Sequence, residues 1–500
     1  MENTKLTSLF KTFTPSEFKE FEKFLSSPFH SGDRNLKPLF EIVKKYYPKF
    51  DDPKFTKEET FRVLYPDEKF DEARIRKLMS FLLKMGEDYL VAIALRNDKY
   101  ERNFLLLKEF RERELDTPYK GLANTMEKEI STTKFPVEIY FAKRLDYCRE
   151  TFIYYYDYKY DYGKAFELVN EQLTNSTSLF LFFLFRALNT KSIAEKFHAT
   201  DYDKTIHSAI RNTFEIEKFF NSEAKGNETI EIMLPGFYIS KALEDIFDFE
   251  SYEKGKKLLI ENIGKYNTTS QHAFFRDLRS INIYREHYGE TESIKQEAQK
   301  EIFEIIKLMF EYEAVIPDNE KYLPVNSFKI ILNSALINKD YQWAEKFIEE
   351  YIPRLEPEQR KSMKYFALAF LEVKRGNYEK CLEYIINIKI DTPFIKFTVR
   401  HLNFIVFYEL ELYEEARYFL DTTQKYYSNT REIPSAVKEE GQNFVKYYKM
   451  LLRYSDKLQS EEIEMNFKKL LSEKVLTNKE WLLEKFEGIV NKTGGIATAH

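Results

Sequence analysis

The sequence predicts an all-α protein built largely from paired helices. Three observations carry that reading. Glycine is scarce, 14 of 500 residues beside 15 prolines. That leaves too little for turn-rich β-sandwiches, dinucleotide crevices and phosphate-cradling loops. Aromatic residues reach 16%, with 45 Phe and 35 Tyr but only 2 Trp, which suits bulky packing between helices. Apolar residues also recur three and four positions apart over long stretches, the period of a helix face.

Global quantities narrow the class of function. Lys plus Arg is 77 and Asp plus Glu is 82, a net charge of −5, so no long-range field advertises nucleic acid. Two cysteines, Cys148 and Cys381, cannot make a disulfide framework and fit a reducing compartment. The start Met1-Glu-Asn-Thr-Lys5 carries no apolar signal core. The most apolar run, Leu179–Phe185, is too short to span a bilayer and reads as a buried helix segment. The expectation is a soluble cytoplasmic protein with no membrane contact.

The elements of residues 1–96 form an N-terminal helical domain. Thr14-Pro15-Ser16-Glu17 starts a helix with a cap, a first-turn proline and a capping-box partner. Phe18, Phe21, Phe24 and Leu25 share one face, and Ser26–Gly32 ends the helix. A second helix carries Leu36, Leu39, Phe40, Val43 and Tyr47. Thr56 and Glu59 signal a short helix through Leu64, and Asp71 opens a long one with Ile75, Leu78, Met79, Leu82, Leu83, Tyr89, Leu90 and Ile93 near one stripe. A short helix, a turn and a helix bearing Arg74, Arg76, Lys77 and Lys84 invite a DNA-binding reading. The interleaved acids Asp67, Glu68, Asp71, Glu72, Glu87 and Asp88 weaken it.

From about residue 97 the helices come in pairs, and the turns often carry Tyr three residues before a small residue. The clearest pair spans Met363–Pro393. Tyr365, Leu368 and Ala369 define one face; Gly376-Asn377-Tyr378-Glu379-Lys380-Cys381 turns the chain; Leu382, Ile385 and Ile388 continue the face; Pro393 closes it. Related turns are Lys339–Ala344, Leu412–Ala416, Asp161–Ala165, Asp201–Thr205 and, more weakly, Ser251–Gly255. Tyr341 precedes Tyr378 by 37 residues, and Tyr413 follows it by 35. A further turn is expected near Tyr288-Gly289.

This pattern resembles the tetratricopeptide repeat (TPR), specifically over residues 326–425 and less closely over 140–260. Cys381 stands where that family usually has Ala, and Glu372 where it has an aromatic. The resemblance implies a right-handed α-α superhelix, with six or seven degenerate repeats over residues 97–430; the apolar faces after Pro434 read as capping helices over 431–490, and the patternless end as a disordered tail over 491–500. It also implies a non-enzymatic scaffold or adaptor that binds a protein or peptide partner on its concave surface. Candidate partner-binding residues on the inner faces are Lys329, Asn333, Phe370, Lys374, His401 and Tyr408.

Chemistry-bearing motifs are absent from the sequence. There is no Walker loop, no His-x-x-x-His and no His or second Cys beside either cysteine, so no catalytic residue, metal ligand or cofactor is expected. The run Tyr154–Tyr162 could offer rings to a peptide or to bases, but packing around a turn accounts for it more simply. Two alternatives stay open: a nucleic-acid-linked regulator using the N-terminal domain, and an enzyme whose site is assembled inside the solenoid.

Overall fold

The computed structural model describes residues 2, 4–27, 29, 36–198, 215–221, 225–318, 320–389, 393–430, 433–456, 460–473 and 475–492. The expected Asp201–Thr205 turn, His30, His207, His500 and almost all of the expected tail lie outside them. Every regular element among the described residues is helical, with no strand. None of these helices is long and apolar enough to cross a membrane. The chain divides into two compact units, residues 1–133 with 142–176, and residues 134–141 with 177–500.

In the first unit, α1 (Lys5–Lys11), α2 (Pro15–Leu25), α3 (Lys37–Lys44), α4 (Lys57–Leu64) and α5 (Glu72–Asn97) surround an aromatic core. The capping box opening α2 is formed: the Glu17 amide donates to Thr14 Oγ1 at 3.2 Å, and the Thr14 amide donates to Glu17 Oε2 at 2.7 Å. At the starts of α4 and α5, Thr56 Oγ1 accepts from the Glu59 amide and Asp71 Oδ1 from the Arg74 amide, one bond each. Phe10, Phe18, Phe21 and Phe40 are almost fully buried and meet mostly edge-on or tilted, 5.2–6.3 Å between ring centres. The helices α6 (Lys99–Glu112) and α7 (Asp116–Thr132) follow as a hairpin. Two further helices, α8 (Val137–Ile153) and α9 (Tyr162–His198), have residues in both units.

The second unit continues with α10 (Ile216–Asn221), α11 (Glu228–Glu231), α12 (Leu234–Glu244), α13 (Phe249–Glu261), α14 (Thr268–Tyr288) and α15 (Glu292–Glu311). Three hairpins come next: α16 (Val325–Ile337) with α17 (Tyr341–Tyr351), α18 (Pro357–Arg375) with α19 (Tyr378–Ile385), and α20 (Pro393–Glu409) with α21 (Tyr413–Asn429). Finally come α22 (Ser435–Asp456), α23 (Ser460–Ser472) and α24 (Lys479–Lys492). The chain also turns at Gly289, between α14 and α15, close to where the sequence placed a turn.

The three hairpin turns share one backbone solution. Lys339, Gly376 and Glu411 are left-handed, with φ of 58°, 78° and 56°. Two amide bonds close each turn onto the outgoing helix. Asp340, Asn377 and Leu412 donate to the carbonyls of Ala335, Glu372 and Phe407 at 2.8–3.0 Å, and the left-handed residues donate to Leu336, Val373 and Tyr408. This is the Schellman closure, which satisfies carbonyls a helix end leaves free. Tyr341, Tyr378 and Tyr413 are each the first residue of the returning helix. Three positions on, Ala344, Cys381 and Ala416 have no exposed surface, so a small side chain sits where the helices approach. Glu372 is buried too; it accepts from the Asn377 amide group and pairs with Arg375, which ties this turn down where an aromatic was expected.

These turns give a clean pair of substitutions. A Cβ on Gly376 meets open space, so Gly376→Ala isolates the backbone cost and should lower stability by about 1 kcal/mol. Ala344→Leu must overpack a closed site and should cost about 1–3 kcal/mol. Denaturant unfolding followed by circular dichroism checks both. Equal and negligible effects would mean that neither the left-handed turn nor the close approach matters.

Candidate partner-binding site

Four helices of the second unit begin at a proline or directly after one: Pro324 before α16, Pro357 and Pro393 at the starts of α18 and α20, and Pro434 before α22. Proline is pre-set for a first helical turn and gives up no useful donor there. The starts of these helices come together around a cleft of about 810 Å³. Leu323, Val325, Ile395, Ile433 and Val437 supply apolar wall, and Gln359 and Tyr322 add polar groups. The loop ahead of α16 is held to the connection between α17 and α18 by the Leu323 amide, which donates to the Arg354 carbonyl at 2.9 Å.

Lys329, one turn into α16, also lines the cleft. It is half-buried, and loss of water around its ammonium pulls its pKa down to about 8. The other charged groups on the rim, Glu320, Lys321 and Glu356, nearly balance, so the walls rather than a net field define what fits.

The remaining candidate residues fall in different surroundings. Asn333 is exposed and borders a smaller hollow lined by Ile283, Glu286 and Gln299. Phe370 is half-buried and stacked on Phe366, with ring centres 5.8 Å apart. Lys374 is exposed, and its carbonyl accepts from the Tyr341 hydroxyl at 3.0 Å. Tyr408 is half-buried with its ring edge-on to Trp481 at 5.5 Å. His401 is only 2% exposed, between Phe397 and Phe444, so it packs the core and presents no surface to a partner. Of the six, only Lys329 lines the cleft. Its walls come from helix starts, whereas the candidates were chosen along the face of each first helix opposite its packing partner, and Lys374 and Tyr408 stand at helix ends. The repeated proline-to-helix junctions were the signal in the sequence that pointed to them.

No grouping of His, Cys, Asp and Glu able to hold a metal ion occurs among the described residues. Both thiols are buried, and burial pushes each up to about 12, so neither is a thiolate near neutrality. In the N-terminal unit Arg74, Arg76 and Lys84 pair with Glu68, Glu72 and Asp88, which leaves those cations partly neutralised toward phosphate.

Two pH dependences follow. Burial draws the His401 imidazole down to about 4, from an ordinary value of 6.5, while its Nδ1 sits 2.8 Å from the Phe397 carbonyl. The folded chain thus binds fewer protons than the unfolded chain between those values, and stability falls as pH drops from about 6.5 to about 4. The full effect is about 3 kcal/mol. Denaturation midpoints of the parent and His401→Leu at pH 7 and pH 5 should diverge accordingly; parallel curves would contradict it. Lys329 is also depressed, so the cost of its buried charge is present below about pH 8 and fades as pH rises toward 10.5. Lys329→Met should therefore raise the melting temperature at pH 7 and lose that gain by about pH 10.5.

No family model, curated protein or solved structure matches this chain, so the geometry alone carries the functional reading.

Proposed function

We propose that the chain is a non-enzymatic scaffold or adaptor whose second unit holds an apolar segment of a protein partner. The reading rests on one observation above the rest: the starts of four helices, α16, α18, α20 and α22, line one cleft of about 810 Å³. A cleft shared by successive helices is what a TPR-like right-handed stack offers an extended or helical peptide. The recurring Tyr-x-x-small turns at 341–344, 378–381 and 413–416 fit that assignment. In this reading Val325, Ile395 and Val437 anchor apolar side chains. Lys329, which lines the same cleft, can donate to a carboxylate or backbone carbonyl of the partner. A reducing cytoplasmic setting fits the two buried free thiols.

An enzymatic reading gains nothing from the thiols or from the buried His401, since neither reaches the cleft. A nucleic-acid reading loses force from the paired cations of the N-terminal unit.

The test places a photo-crosslinking residue at Gln359, on the cleft rim, in the intact chain, and irradiates it in an extract of the source cells. A discrete protein partner should be trapped. Val437→Arg, which inserts a charge into the apolar wall, should reduce trapping at least about tenfold, the effect of losing one anchor. Trapping that is unchanged by Val437→Arg would remove the cleft from the account.

A further inference from the structure

The tyrosine-rich run is divided by the fold. Tyr154 is buried and stacks on Tyr119 with ring centres 3.8 Å apart. Tyr156, Tyr160 and Tyr162 turn outward, at 38%, 70% and 47% exposure, and Phe166 and Leu173 of α9 extend the surface at 58% and 62%. The simpler expectation, that this run packs around a turn, accounts for the buried Tyr154 and for the half-buried Tyr155 and Tyr158, which meet the Tyr154 ring and the Arg111 guanidinium. Tyr156 meets Tyr162 edge-on at 5.2 Å and Phe166 at 6.2 Å, and Tyr162 and Phe166 lie parallel at 6.4 Å. Tyr156, Tyr162 and Phe166 form one exposed cluster, and with Tyr160 and Leu173 this part of the chain exposes about 550 Å² of mostly apolar surface.

We infer that this patch is a self-association surface through which two copies of the chain pair, α9 against α9. Three observations select a second copy. First, Tyr162, Phe166, Val169, Leu173 and Ser176 alternate spacings of four and three, the seam spacing of a two-helix contact, and the sequence keeps it at Phe180 and Phe183. Second, the exposed positions beside that seam are Gly163 and Asn170, both uncharged. An identical helix therefore meets no like charge, and a partner chosen by its charge finds nothing there to read. Third, two such patches bury about 1,100 Å² in total, which reaches the lower edge of specific interfaces and implies a weak, reversible dimer. Stacked bases would need cations for their phosphates. The nearby Lys159 and Lys164 instead pair with Asp116 and Asp161, and Asp157 and Glu167 are exposed acids.

Sedimentation equilibrium of the intact chain, from roughly 1 to 200 μM, tests this. The apparent mass should climb from monomer toward dimer. Phe166→Glu and Leu173→Glu should each raise the dissociation constant at least tenfold, because two-fold pairing brings two copies of each new charge close together. Both should keep the parent's helical circular dichroism, and Phe166→Leu should still dimerise. A parent that stays monomeric throughout overturns the proposal, as does association indifferent to both glutamates. A monomer that binds oligothymidine, and loses that binding with Phe166→Glu, would overturn it in favour of base stacking.

Discussion

The left-handed residue at the end of a helix is the constraint on which the hairpins α6–α7, α16–α17, α18–α19 and α20–α21 depend. One residue with φ near +60° reverses the chain within three residues and closes two amide bonds onto the outgoing helix. The same closure recurs at Glu114 in the first unit and at Glu313, Lys339, Gly376 and Glu411 in the second. Only one of these five is glycine. The other four accept about 1 kcal/mol of backbone strain each, and the two hydrogen bonds and the packing that follows offset it. Their side chains are long and charged and reach water easily, so nothing at the turn itself forbids them.

With the reversal fixed, the returning helix has little freedom. Its first residue is the tyrosine, and its fourth faces the partner helix at closest approach. A fully buried Ala344, Cys381 or Ala416 is the consequence, and the same logic holds at Gly255, where an added Cβ would lie 3.1 Å from the Ile239 backbone nitrogen. The prolines act at the other end of each hairpin, where they start the next helix. Turn, small residue and proline together bring four helix starts to one cleft, and the proposed binding function grows from that convergence.

Helix identity was legible in the sequence because its signals are local. The Thr14–Glu17 capping box, Asp71 as a cap and the Tyr-x-x-small turns at 341–344, 378–381 and 413–416 each lie within four residues and each appear in the structure, whereas Ser251–Gly255 falls inside α13. The site was less legible because it is a tertiary property. His401 carries an imidazole in a helix of mixed character, and nothing within its own turn says that Phe444, more than forty residues on, will cover it. Tyr408 meets Trp481 from a still later helix. Lys329 was identified from the inner face assigned to a first helix, and its place one turn into α16 is what puts it at the cleft. The aromatic run was half legible: its composition was plain, but which rings turn outward depends on the π-helical stretch Tyr154–Tyr158, whose register no local spacing revealed.

Residue-resolved amide hydrogen exchange on the intact chain tests the central claim most directly. The amides of Asp340, Asn377 and Leu412 sit in connections that would exchange at loop rates if they were ordinary turns. Closed onto Ala335, Glu372 and Phe407, they should be protected like the last turns of the helices they close, at least about a hundredfold over an open chain. Loop-like exchange at all three would contradict the account.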